Sequence, residues 1–324
     1  MTLQLSVDSA AWDRHVSQTA SDLGDLIPVV KGNGYGFGRA NLMAHAVKIA
    51  NQIAVGTVFE AQDVPANCTA LVLTPVGQHI PKDLPKNVVL TVGSLQHVQN
   101  LKNASWSGDI VIKLRSSMNR YGADTSDVAA MQSAVKSAGL KQVGWSVHPP
   151  LDGTMQDHAK EVGEMIGKVG EMIGKVASDL PWLISHVDAS SFRELRAKFA
   201  DKKIRVRSGT QLWLGDKSML KLTADVLDTR AISAGSTAGY RNVKVASDGV
   251  LVMIGAGSSH GVHLVGAEQS PFHFKQKRLE LLEPPHMHTS MVFISAKENA
   301  PKVGDQVDVQ QPLTRVYPDV TTWL

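Results

Sequence analysis

The run Leu26, Ile27, Pro28, Val29, Val30, Lys31 breaks at once into Gly32, Asn33, Gly34, Tyr35, Gly36, Phe37, Gly38. The apolar run reads as a buried strand. The four glycines after it cannot extend that strand, since glycine loses the most backbone freedom on ordering and offers no side chain to pack. The chain is therefore predicted to turn sharply after Lys31. A helical spacing resumes at Ala40, with Leu42, Met43, Ala46, Val47 and Ile49 on one face. Strand, glycine-rich loop and helix in that order put Lys31 at the carboxyl end of a strand, where α/β proteins keep their chemistry. Desolvation there lowers a lysine's pKa and frees its amine for covalent linkage and proton transfer.

Working outward, short apolar runs recur at 53–58, 70–73, 88–92, 110–114, 143–147, 183–187 and 204–206, with helical patterns between them. About eight strands alternating with helices is the pattern of a (β/α)8 barrel, although a doubly wound open sheet alternates in a similar way. After residue 215 strand-like segments take over at 221–232, 250–254, 291–294 and 306–309, with turn signals at Ala234-Gly235, Asp248-Gly249 and Gly304-Asp305. The expected organisation is a barrel over residues 1–216 and a smaller, mostly β domain over residues 217–324.

The 324 residues are 43% apolar, enough for a globular interior, and 33 basic against 30 acidic residues leave a net charge of only +3. No Lys/Arg block forms a nucleic-acid surface, and no apolar run has the length of a signal or a membrane span. The one cysteine, Cys68, excludes an internal disulfide and a cysteine-built zinc site. His260, His263, His273, His286 and His288 lack the spacing of a helical ligand pair and read as solvated loop residues, so no metal is expected. A cytoplasmic protein follows from these features.

Residues 162–168, Val-Gly-Glu-Met-Ile-Gly-Lys, are repeated without change at 169–175. The period suits one amphipathic helix with Val162, Met165, Val169, Met172 and Val176 along a seam, although its glycines weaken it by about 1 kcal/mol each. The block, Val162 to Lys175, is read as an insertion that lengthens a peripheral barrel helix by two turns.

Further stretches carry polar groups beside the apolar runs. Lys113 lies in Ile112-Lys113-Leu114-Arg115-Ser116-Ser117-Met118-Asn119-Arg120-Tyr121-Gly122, and His148 directly follows the run at 143–147. Arg205-Val206-Arg207-Ser208-Gly209 leads to Trp213 and Gly215, and Ala234-Gly235-Ser236-Thr237-Ala238-Gly239-Tyr240 lies in the β region.

Together these stretches resemble the alanine racemase family, as a divergent and shortened member. The first is similar to the family's pyridoxal-phosphate lysine motif, with Lys31, Asn33, Tyr35, Gly36 and Gly38 in register, Phe37 in place of the usual histidine, and Gly32 and Gly34 in place of alanines. The resemblance implies a covalent link from Lys31 to pyridoxal 5'-phosphate and a bond from Tyr35 to its phosphate. Arg120 would face the cofactor ring oxygen and clamp the substrate carboxylate, held by Lys113, which is often carbamylated in the family. His148 would bond the catalytic tyrosine and the arginine at the ring. Arg207 would point at the pyridine nitrogen and keep it unprotonated, which favours reprotonation at Cα over transamination.

Asp188-Ala189-Ser190 stands where the family has Asn-Ser-Ala, so the phosphate-binding serine is either lost or supplied by Ser190. Ala256 stands where the family has an entryway tyrosine, Met287-His288 where Met-Asp is usual, with Met287 at the substrate, and residues 314–324 lack a clear counterpart of the last phosphate-binding tyrosine. The implied activity is racemisation of an amino acid, L-alanine and D-alanine first, supplying a D-amino acid as a peptidoglycan precursor. The implied assembly is a homodimer with shared active sites, in which Lys31 and Tyr240 of the partner subunit serve opposite faces of Cα, because one base cannot easily serve both. A second reading stays open, favoured by the altered entryway: a non-catalytic homologue that binds pyridoxal phosphate as a carrier or regulator. A decarboxylase or aldolase on the same barrel lacks its expected cysteine and histidine motifs.

Overall fold

The computed structural model describes residues 3–324, and of residues 175–178 the backbone alone. The chain falls into two compact units. One comprises Val16–Gly32 and Arg39–Gly215; the other takes the chain up to His15, Asn33–Gly38 and Asp216–Leu324.

After β1 (Leu3–Val7) and α1 (Ser9–Leu23) come eight strands: β2 (Leu26–Pro28), β3 (Gln52–Val55), β4 (Thr69–Val72), β5 (Val88–Val92), β6 (Asp109–Lys113), β7 (Lys141–Ser146), β8 (Trp182–Ile184) and β9 (Ile204–Ser208). All eight pair in parallel, in the order β2-β9-β8-β7-β6-β5-β4-β3. A parallel bridge between Val29 and Ala54 brings the two end strands together, with Val30 N–H donating to Ala54 C=O at 2.8 Å. The architecture is the (β/α)8 barrel, not the open sheet.

Ile27, Val29, Ala54, Leu71, Val89, Val111 and Leu183 form one buried cluster. Side chains two apart on a strand share a face, so the step from Ile27 to Val29 continues to Lys31, and the step from Val111 continues to Lys113. Both lysines thus extend the apolar interior toward the carboxyl ends of the strands.

The helices of this unit are α2 (Arg39–Ile49), α3 (Leu95–Asn103), α4 (Val128–Ser137), α5 (Met155–Ser178), α6 (Ala189–Lys198) and α7 (Thr210–Leu214). Local side chains start two of them: Ser94 accepts the His97 N–H at 3.3 Å and Asp188 accepts the Ser191 N–H at 2.8 Å, each relieving a helix-end donor. On α7 the fully buried Trp213 donates its indole N–H to Val29 C=O at 2.8 Å, tying that helix to the strand that leads into Lys31.

In the second unit β1, expected within the barrel, pairs instead antiparallel with Leu220–Ile232 and parallel with Val320–Trp323. Its alternation explains this: Leu3, Leu5 and Val7 are fully buried while Gln4 and Ser6 are not, the pattern of a strand with one face on a core. Leu220–Ile232 is the central strand and also pairs with Gly249–Ile254 and Gln306–Val309. Trp12, Phe37 and Trp323 close an aromatic cluster, with ring centroids 5.1 to 5.9 Å apart. That cluster gives Phe37 a packing role and holds the loop Asn33–Gly38 to this unit. Gly32, Gly34, Gly36 and Gly38 all have positive φ, which is the sharp turn expected after Lys31.

The duplicated segment lies wholly within α5. Val162, Met165, Ile166 and Val169 are buried, but Met172 is 45% exposed, so among the described side chains Val169, the first residue of the second copy, is the last buried one on the seam. Val176, expected on the seam, lies outside the described side chains. Deleting residues 169–175 brings Val176 into the place of Val169 in an otherwise unchanged buried face. Such a deletion is expected to leave the thermal midpoint within a few degrees of the parent, measured by calorimetry. A loss on the scale of a core truncation, about 2–5 kcal/mol, would show that the second copy is packed.

Candidate active site

Four basic side chains gather at the carboxyl ends of the barrel strands, the two arginines acting on both lysines: Lys31 after β2, Lys113 at the end of β6, Arg120 in the loop beyond it, and Arg207 on β9. Arg207 is only 4% exposed. It donates from Nη2 to Val147 C=O at 2.6 Å, and its Nε is buried without an acceptor. Among the described residues no carboxylate pairs with it, and burial lowers its pKa to about 10. A buried cation in this condition is costly unless something else accepts its protons.

The same cluster acts on the lysines. Lys113 is 5% exposed, and desolvation, followed by Arg207, Arg120 and Lys31, brings its pKa down to about 7. Lys31 is reachable by water, yet it sits amid enough protein that desolvation, then Arg120 and Arg207, lowers its pKa from 10.5. Both amines therefore keep a larger neutral fraction near neutrality than a surface lysine does.

Glu60 opposes this trend at Lys31. Its carboxylate accepts Gly56 N–H at 2.6 Å and Gly32 N–H at 3.2 Å, so one side chain joins the loop after β3 to the turn after Lys31. A Cβ at Gly56 would lie 2.9 Å from Glu60 and 3.3 Å from the Lys31 Cβ, which shows how closely these groups are packed. Glu60 carries no signal in the sequence, because the partners of its oxygens are backbone N–H groups brought together only by the fold.

His148 follows β7, and its Nδ1 lies 2.5 Å from Ser185 Oγ. Burial first, then Arg207 and His186, push its pKa far below the usual imidazole value, which favours the neutral ring. His186 packs its ring 4.5 Å from that of His148 and donates from Nδ1 to Pro149 C=O at 3.0 Å and Pro150 C=O at 2.9 Å. These contacts fix the loop after His148 and give the two prolines a structural role. Ser190 is exposed in the first turn of α6, next to the capping Asp188, whose carboxylate is held below its ordinary pKa by Ser191.

In the second unit Tyr35 is 5% exposed with φ 55°, in the loop that Asn33 anchors by donating to Leu313 C=O at 2.8 Å and Val316 C=O at 2.6 Å. Tyr317, not singled out from the sequence, is 60% exposed beside that anchored segment. Tyr240 is 85% exposed and Met287 66% exposed, whereas Ala256 is fully buried. Two histidines read as solvated are not so: His260 is buried, with Nε2 3.3 Å from Asp319 and Nδ1 accepting Gly257 N–H, and His286 lies 2.6 Å from the buried Glu283. Among the described residues no group of His, Cys, Asp and Glu is arranged to hold a metal, and no helix is long and apolar enough to cross a membrane.

The model of the alanine racemase N-terminal domain matches residues 7–215. No curated protein sequence matches the chain at a significant level. Solved structures match it over its full length. They include alanine racemase from Acinetobacter baumannii (15% identity, TM-score 0.70, covering 100% of both chains) and biosynthetic alanine racemase from Pseudomonas aeruginosa (18%, 0.70, covering 100% of this chain and 99% of that one). A third is alanine racemase from Bartonella henselae with covalently bound pyridoxal phosphate (16%, 0.71, covering 100% of both). At these identities the structures establish the shared fold, and the family match over residues 7–215 shows that this chain belongs to the alanine racemase family.

Proposed function

We propose that the protein is a pyridoxal-phosphate-dependent amino-acid racemase, acting first on alanine as a homodimer. The observation that carries this reading is the buried Arg207, with an unpartnered Nε, beside a lysine whose pKa is lowered. A guanidinium short of acceptors fits a ring nitrogen lone pair, and a mouth rich in positive charge fits an anionic group with a reactive carbonyl. When bound, pyridoxal phosphate acidifies the substrate's Cα hydrogen by spreading the charge left behind.

The chain's own residues then divide the remaining work. Lys31 holds the cofactor and moves the Cα proton on one face, and its lowered pKa favours the neutral amine this requires. Arg207 keeps its proton and aims it at the ring, so charge is returned to Cα and not stored. Arg120 offers the substrate carboxylate a planar clamp. Lys113, with a pKa of about 7, has the neutral fraction needed to take up carbon dioxide as a carbamate, which would supply an anion to hold Arg120. His148, neutral and bonded to Ser185, orients without adding charge. Tyr35 and Ser190 are assigned to the phosphate and Met287 to the substrate pocket. Tyr240 of the partner subunit serves the second face of Cα. A cytoplasmic role in supplying a D-amino acid for peptidoglycan accords with this chemistry. The non-catalytic alternative draws on the exposed Ser190 beside a capping carboxylate, which offers a phosphate a poorer seat than the family's serine.

Replacing Arg207 with glutamate is expected to slow racemisation and raise the share of transamination, measured by chiral chromatography and keto-acid assay. Unchanged rate and product ratio would show that Arg207 does not face the ring. Tyr240→Phe is expected to cost roughly a hundredfold or more in rate, while Lys31 continues to exchange the Cα proton of one enantiomer with solvent deuterium. Mixing Tyr240→Phe with Lys31→Ala subunits should restore activity, because one site of the hybrid dimer keeps both bases. An inactive mixture with demonstrated subunit exchange would favour the non-catalytic reading.

A further inference from the structure

Glu283 is a buried carboxylate, 5% exposed, in the unit that carries Tyr240. Its Oε1 accepts the Tyr240 N–H at 2.9 Å and its Oε2 the Arg241 N–H at 3.0 Å. His286 Nε2 lies 2.6 Å from Oε1, and because an ionised carboxylate only accepts, that nitrogen carries the proton. The His286 ring packs 4.4 Å, centroid to centroid, from the Tyr240 ring. Gly239, immediately before Tyr240, has φ 80°, and a Cβ there would collide with the Glu283 carboxylate. Burial works to raise the Glu283 pKa, and the N–H groups of Arg241 and Tyr240 together with His286 outweigh it, leaving the group ionised at neutral pH.

These contacts hold the backbone at and after Tyr240 and pack against its ring, although that side chain is itself 85% exposed. A buried, ionised carboxylate is an expensive device for shaping a surface turn, and it is tolerated when its donors fix something that must not move. Two backbone N–H groups set where the Tyr240 Cα sits, and the imidazole limits the ring's rotamers. We propose that Glu283, acting directly and through His286, is the positioning residue that holds Tyr240 in place for proton transfer. The proposal rests on the racemase reading for its catalytic half, while its structural half stands on these contacts alone.

The test uses full-length protein labelled with 3-fluorotyrosine. The chain has four tyrosines, Tyr35, Tyr121, Tyr240 and Tyr317, so four fluorine resonances are expected, with Tyr240 assigned by Tyr240→Phe. In Glu283→Gln one oxygen becomes an amide that cannot accept, so one of the two N–H bonds is lost. The Tyr240 resonance should then move toward the position of a freely rotating tyrosine and sharpen, while the other three stay in place. His286→Phe keeps a ring against Tyr240 but removes the bond to Glu283, and should give a smaller shift of the same resonance. In the racemase assay Glu283→Gln should lower kcat by up to about a hundredfold, the scale of a displacement near 1 Å, with KM changed far less and solvent exchange on the Lys31 face retained. A Tyr240 resonance unchanged in both variants, or all four resonances moving together, would overturn the proposal. A wild-type protein without racemase activity would instead remove the function and leave the resonance measurement to decide the positioning.

Discussion

The chemistry of the barrel unit depends on a charge imbalance at the carboxyl ends of its strands. Arg207 is buried with one backbone acceptor and no carboxylate among the described residues, and desolvation together with its field lowers the pKa values of Lys113, Lys31 and His148. An ordinary core would neutralise such a guanidinium with an acidic partner, as Arg205 one step away is neutralised by Asp25 at 2.6 Å. Leaving Arg207 short of acceptors costs stability, and the return is a site ready for an anionic, acceptor-bearing ligand. Glu60 tempers the effect at Lys31 and ties its turn to the neighbouring loop, so position and proton affinity of that amine are set together.

The second unit handles a buried charge in the opposite way. Glu283 meets Tyr240 N–H, Arg241 N–H and His286 on its two oxygens, and nothing in that arrangement calls for an outside partner. A buried charge left short of partners suits binding, and one fully partnered suits positioning. The contrast separates Arg207 as a group that would touch a ligand from Glu283 as one that acts through a neighbour.

Much of the barrel was legible because a parallel strand buried on both faces is a short apolar run, and eight such runs separated by helical spacing admit few folds. Lys31, Lys113, His148 and Arg207 could be placed at strand ends for the same reason. The first strand was not legible in this way: Leu3–Val7 finds its partners at Leu220–Ile232 and Val320–Trp323, a pairing across most of the chain that no local pattern reports. Glu60, Glu283 and His286 escaped because their roles are defined by backbone N–H groups and rings from distant segments. Phe37, a departure from the family motif when read as sequence, is explained by Trp12 and Trp323.

The barrel mouth lowers the pKa of the Lys31 amine, by desolvation and by the charges of Arg120 and Arg207, and so readies it for covalent linkage. The most direct test is to add pyridoxal phosphate across a pH series, trap the product with borohydride and map the labelled peptide by mass spectrometry. Label is expected on Lys31, with a midpoint for its formation below the 10.5 of an ordinary lysine. Label on other lysines alone, or a Lys31 midpoint at the ordinary value, would contradict this account.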